Sequence, residues 1–175
     1  MRVFPVFIFI ALLALAATLA LPAIVDVAPA ARAHLTFAAG VMPLIIAAFD
    51  YFVPVLTRSG TASAPARVLP WLALAAGLIA VAHWVAPDAV PHAISLSAVG
   101  ALLAASASGA WMLSRGRRAV GRPHACLNWY VAAAFCLAAA AAAALAMGLW
   151  PDQYAAAKRL HLHMLRHTAL TYLLQ

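Results

Sequence analysis

Residues 126–149 read CLNWYVAAAFCLAAAAAAALAMGL and contain no charged side chain. A helix needs ~17–25 predominantly apolar residues to cross the hydrocarbon core of a bilayer, and this stretch reaches that length. Every backbone N–H and C=O group of such a helix can bond within the helix, so its apolar side chains are free to face lipid. The stretch therefore predicts a membrane-spanning helix.

Five further apolar runs accompany this one, and Pro, Gly and charged residues fill the gaps between them. They cover approximately residues 3–24, 33–56, 69–85, 93–113 and 155–175. The first four of these runs are also long enough to cross a bilayer. Residues 3–24 follow Arg2 as a secretory signal would, but a signal core is only ~7–15 residues long, so we expect a retained helix. The sequence predicts an all-α, polytopic transmembrane bundle of about six helices, formed as one domain over residues 1–175.

Composition excludes a soluble domain. Hydrophobic residues make up 67% of the chain and charged residues 9%, and the mean hydropathy is +0.99. A soluble domain is nearer half apolar and a quarter charged. The net charge of +7 does not indicate nucleic-acid binding, because the basic residues lie in the gaps between apolar runs. Cys126 and Cys136 are ten residues apart, which matches neither a disulfide framework nor a C-x-x-C pair.

The distribution of Lys and Arg predicts an orientation, since cytoplasmic loops carry an excess of these residues. If the N-terminus is cytoplasmic, the inner side carries Arg2, Arg58, Arg67, Arg115, Arg117, Arg118 and Arg122. The outer side then carries only Arg32, Lys158 and Arg159, while Arg166 lies within the last run. This bias of seven to three predicts that both termini are cytoplasmic. We expect a multi-pass protein of the cell inner membrane with the lipid bilayer as its main partner.

This topology gathers the histidines at the outer side. His34 opens the run 33–56, and His161, His163 and His167 lie in the first turns of the run 155–175. Imidazole is the commonest metal ligand in proteins, and heme iron is often held by histidines. We therefore take these four residues as candidate cofactor-binding residues. Two further histidines at this side, His83 and His92, are adjacent to prolines and fit interfacial positions, and only His124 is cytoplasmic.

Helix geometry separates the last three histidines. Positions four apart share a face of a helix, so His163 and His167 point the same way. His161 is about 200° away from His163 around the same helix and faces elsewhere. The pair His163 and His167 is thus the candidate metal site, offered to a copper or heme inside the bundle. The alternative is that these histidines lie in the wet interface and bind no metal.

Asp50 is an acidic residue inside an apolar run. It lies sixteen residues after His34, about 24 Å along a helix. A charge at the centre of a bilayer costs about 2.5–3.5 kcal/mol on insertion scales. We expect its side chain to reach toward the inner surface, with a role in proton entry as the alternative.

The run 33–56 resembles a histidine helix of a known class of membrane protein. It begins His34-Leu35-Thr36-Phe37, continues through the small residues Gly40 and Ala47, and ends with Val53-Pro54. This pattern resembles the histidine helices of proteins related to the catalytic subunit of heme-copper oxidases. These include the NnrS-like heme- and copper-containing membrane proteins of the nitric-oxide response. The start His161-Leu162-His163-Met164 resembles a second such helix.

The resemblance implies a protein that binds heme, copper or both and serves respiratory or nitric-oxide-related electron transport. It implies His34 as an axial heme ligand and His163 with His167 as a second metal site. No W-x-x-x-H-P-E-V-Y-like copper motif is present, so oxygen reduction itself is not implied. Oxidase-like subunits have about twelve helices, so we expect this chain to be the N-terminal half of a longer protein, with other membrane subunits as further partners.

Two other functions stay open on the sequence alone. One is a metal-free transporter subunit or assembly factor with interfacial histidines. The other is a small di-heme b-type cytochrome that is complete in itself. An absorption spectrum of the purified protein distinguishes the first of these from any heme protein.

Overall fold

The computed structural model describes residues 3–173, apart from the side chains of residues 23, 169 and 171–173. Its regular structure over these residues is entirely helical, as predicted, and consists of six main helices joined by short turns. They are α1 (Phe4–Ala20), α2 (Pro29–Leu56), α3 (Leu69–Val85), α4 (Ala93–Arg117), α5 (Cys126–Leu149) and α6 (Tyr154–Leu173). Short 3₁₀ turns at Leu21–Ala23, Ala66–Val68 and Pro151–Gln153 flank them.

Four helices are long and apolar enough to cross a membrane, namely α2, α3 with its preceding turn, α4 and α5. The chain is therefore a multi-pass membrane protein. Helix α1 is apolar but has only 17 residues, and α6 carries Lys158, Arg159 and Arg166. That these two helices also cross the bilayer stays a prediction.

Helix α2 is the central helix of the bundle. Its most apolar stretch is 61% buried, against 28–33% for the three other candidate spans. It packs against α1, α3, α4 and α5, whereas the remaining helices pack chiefly against their neighbours in the chain. Ile46, Phe49 and Val53 of α2 are completely buried and form the centre of the hydrophobic core.

The first half of α2 contains an irregularity. Residues Leu35–Val41 form a π-helical segment directly after His34. This segment lies tightly against α3, because a side chain at Gly77 would collide with the backbone of Ala38. It also packs on α1, where Thr36 donates a 2.7 Å hydrogen bond to Thr18. Segments of this kind occur frequently at functional sites.

The bundle has two distinct ends. At the first, Arg115 donates a hydrogen bond to the carbonyl of Thr61, and the backbone of His124 bonds that of Leu56. We call this the arginine end, formed by the end of α2, the start of α3, the end of α4 and the start of α5. The opposite end, where His34 packs on Trp84, is the histidine end. It contains the start of α2, the end of α3, the start of α4, the end of α5 and the first turns of α6.

Candidate functional site

His34 is held at the histidine end with a defined hydrogen-bonding state. Its Nδ1 atom lies 2.8 Å from the carbonyl oxygen of Ala30, one helical turn earlier. Since a carbonyl oxygen only accepts hydrogen bonds, Nδ1 must carry the hydrogen. The neutral imidazole then presents the lone pair of Nε2 away from its own helix. The ring is half-buried, and its centroid lies 5.6 Å from that of the Trp84 ring.

His161 is held in the same way from a different helix. Its Nδ1 atom lies 2.8 Å from the carbonyl oxygen of Ala140, so α6 is tied to α5 at this point. Nδ1 again donates, and Nε2 again keeps the lone pair of the neutral ring. Metal-ligating histidines almost always donate their other ring N–H to a carbonyl or carboxylate, because that bond fixes the tautomer and the ring orientation. In both imidazoles Nε2 is therefore the nitrogen that would be available to a ligand.

His161 is partly buried where α6 packs against α5. His34 is likewise partly buried at the histidine end. Both imidazoles therefore lie at this end of the bundle, on helices that are far apart in the chain.

The pair His163 and His167 lies on one face of α6, as the spacing predicts. Their ring centroids are 4.4 Å apart and the rings are nearly perpendicular. Both side chains are exposed, however, so they point away from the bundle rather than into it. His161 occupies the contact with α5, and His163, about 200° further round the helix, must then face outward. The prediction that His163 and His167 face the inside of the bundle is therefore wrong. The histidine of α6 that faces the inside is His161.

The remaining histidines of this end line a shallow cleft. His83 and His92 border an open cavity of about 330 Å³ between α3 and α4, together with Asp88 and Ser95. His92 is exposed and precedes the first turn of α4. These positions are consistent with the interfacial role expected for both residues. His124 lies at the arginine end, where its Nδ1 accepts a hydrogen bond from the backbone of Cys126.

Sequence reasoning does not identify Trp84 as a part of the site. Its ring provides an aromatic wall beside the His34 imidazole. Nothing in the local sequence indicates this neighbour, because it depends on how α2 and α3 pack. Arg32, two residues before His34, is about 200° away around the helix and lines a separate cleft with Asp26.

Over the part of the chain that the structure describes, no three His, Cys, Asp or Glu side chains come together as a metal-binding group. The candidate site consists of the imidazoles of His34 and His161, each fixed by a hydrogen bond from Nδ1 to a backbone carbonyl. No family model, curated protein or solved structure matches this chain.

Proposed function

We propose that this protein is a heme-binding membrane protein of an electron-transport system, in which His34 and His161 would hold the iron. The observation that carries the proposal is the pair of hydrogen bonds from Nδ1 to backbone carbonyls, each 2.8 Å long. They leave two Nε2 lone pairs on two different helices at one end of the bundle. Two imidazoles from separate helices are a common way to hold heme iron.

The surroundings of the two histidines fit a heme. Trp84 offers an apolar, aromatic surface beside His34, as the face of a porphyrin requires. A bound heme would supply reversible one-electron transfer. The protein residues would bind it and fix the orientation of the imidazoles.

This assignment agrees with the resemblance of α2 and the start of α6 to the helices of oxidase-like and NnrS-like proteins. In this assignment His161 is the second heme ligand, and His163 and His167 remain available for a second metal site. In the orientation indicated by the arginines, the arginine end faces the cytoplasm and the histidine end faces the outer side of the inner membrane. The heme would then lie in the outer leaflet.

A second metal site, for copper, is proposed at His163 and His167. The 4.4 Å separation of their ring centroids allows both imidazoles to reach one ion. Because both face away from the bundle, the remaining ligands would come from another membrane subunit. Copper accepts imidazole ligands readily.

The test is the absorption spectrum of histidine variants purified in detergent. We expect His34→Ala and His161→Ala each to lose the low-spin heme spectrum, because iron with one missing axial ligand changes its spin state. His163→Ala should keep the spectrum but lose copper if copper is present in the wild type. His124→Ala, at the arginine end, is the matched control and should change neither.

Three results would contradict the proposal. A wild-type protein without a Soret band favours the metal-free transporter subunit or assembly factor. A wild-type spectrum in His34→Ala makes His34 an interfacial residue. Loss of the spectrum in His163→Ala but not in His161→Ala would move the second ligand to the exposed face of α6. Gel filtration of each variant separates loss of heme from loss of the fold.

A further inference from the structure

Asp50 is a buried carboxyl group that the proposed heme site does not use. It lies in α2, and its relative exposure is only 8%. Its Oδ2 atom is buried and has no hydrogen-bond partner. The expectation that this side chain reaches toward the inner surface is therefore wrong. Neighbouring positions of the same helix form the apolar core, so the carboxyl group is directed into the bundle.

The position of Asp50 along α2 gives the depth of its carboxyl group in the bundle. Asp50 is six residues before Leu56, which places it about 9 Å from the arginine end of the helix. Phe49, next to it, packs edge-to-face on the ring of Tyr130 from α5. An ionised carboxylate in such surroundings would need an ion partner or several hydrogen bonds.

The charged and titratable groups on the surrounding elements are few. The described residues of α1 contain none. Arg67, in the turn before α3, is exposed and acts electrostatically on Asp50. Arg115 of α4 is directed to the carbonyl of Thr61. Helix α5 offers Tyr130 and Cys126, and Tyr51 is the neighbour on α2.

A second buried polar atom without a partner occurs in α4, also in the half of the helix nearer the arginine end. The Nε1 atom of Trp111 in α4 is buried and makes no hydrogen bond. Trp111 is six residues before the end of α4, as Asp50 is before the end of α2. Helices α2 and α4 pack against each other, and Arg115 lies over the Trp111 ring at 5.8 Å. Unsatisfied buried polar groups are rare in folded proteins and often mark a functional site.

We propose that Asp50 is a proton-binding site within the membrane, which takes its proton from the aqueous phase at the arginine end. The carboxylate accepts one proton on an oxygen and becomes a neutral carboxylic acid, and release of the proton restores the charge. The neutral acid removes the need for an ion partner and can donate a hydrogen bond. The exposed Arg67 marks the side from which the proton enters.

The experiment uses carbodiimide labelling of the wild-type protein in lipid vesicles at neutral pH. Dicyclohexylcarbodiimide is apolar and reacts with protonated carboxyl groups inside membranes, whereas a water-soluble carbodiimide reaches carboxyl groups in water. The other acids of the chain, Asp26, Asp88 and Asp152, are exposed at the histidine end and serve as internal controls. We expect mass spectrometry to find the apolar label on Asp50 alone, and the water-soluble label on the other three.

Infrared spectroscopy provides an independent measurement. The wild type should show the carbonyl stretch of a protonated carboxyl group, and Asp50→Asn should lose that band and the apolar label. Asp152→Asn is the matched control and should keep both. Absence of the apolar label on wild-type Asp50 overturns the proposal, as does equal labelling of Asp50 by the water-soluble reagent. A band that persists in Asp50→Asn overturns it as well.

Discussion

Gly77 is a position where the absence of a side chain is required by packing. The backbone of Ala38, in the π-helical segment of α2, lies where a Cβ atom at Gly77 would be. Backbone cannot move aside as a flexible side chain can, so any larger residue must push α2 and α3 apart. Because Ala38 follows His34 by one turn, that movement would also displace the imidazole.

We therefore predict that Gly77→Ala destabilises the protein by about 1–3 kcal/mol, the usual cost of forcing extra volume into a packed core. Gly109→Ala is the matched control, because its new methyl group meets only Ala134 at an ordinary 3.7 Å. This control should be neutral or stabilising by up to ~1 kcal/mol, since Ala has the higher helix propensity. Thermal unfolding in detergent measures both, and equal stability of the two variants would contradict the close approach of α2 and α3.

The histidines show what a residue pattern predicts and what it leaves undetermined. Spacing correctly predicts that His163 and His167 share a face and that His161 does not. It does not predict which of these faces contacts α5, because that depends on how two helices pack over their whole length. The structure gives this contact to His161 through its bond to Ala140.

At the scale of the element, the helix bounds follow largely from the sequence. The runs 69–85 and 126–149 coincide with α3 and α5. Helix α4 continues past the apolar run to Arg117, because charged residues at the membrane surface can remain helical. Helix α2 begins at Pro29, four residues before the apolar run, since Pro is well suited to a first helical turn.

The π-helical segment could not be predicted from the sequence. Residues Leu35–Val41 form an ordinary apolar stretch, and the extra residue per turn shows only in the backbone. A π-helical segment alters the direction in which the residues before it point relative to the rest of the helix. We therefore expect the direction of the His34 side chain to depend on this segment.

Deletion of one residue from the segment tests this dependence. Phe37 is 59% exposed, so its removal costs little core packing. Without it, the start of α2 should rotate by about 100° and shift by about 1.5 Å relative to the rest of the helix. We expect the deletion variant to insert and fold but to lose the low-spin heme spectrum, as His34→Ala does. Phe37→Ala is the control and should retain the spectrum, and heme retained in the deletion variant would contradict a role for the segment.

At the scale of the whole molecule, the two ends of the bundle carry different kinds of residue. Most arginines lie at the arginine end, and the candidate heme ligands lie at the histidine end. The hydrogen bonds of Arg115 to Thr61 and of His124 to Leu56 hold the loops of the arginine end together. The fold thus fixes which loops share a side, while the choice of side rests on the arginine bias alone.

Cysteine labelling tests, in one experiment, which loops share a side of the membrane and which side that is. Single cysteines are placed at Ser63, Ala119 and Ala89 in a background without Cys126 and Cys136. The first two positions are at the arginine end, and the third is at the histidine end. With a membrane-impermeant maleimide added to intact cells, we expect Ala89→Cys to be labelled and the other two to be labelled only after permeabilisation.

The pattern of labelling separates the fold from the orientation. If Ser63→Cys and Ala119→Cys react in intact cells while Ala89→Cys does not, the bundle is correct but inverted, and the proposed heme ligands lie in the cytoplasmic leaflet. If Ser63→Cys and Ala119→Cys react from opposite sides, the pairing of α2, α3 and α4 is itself contradicted. The expected result places the proposed heme ligands in the outer leaflet, across the membrane from Asp50, so that the two proposed sites would be reached from opposite sides.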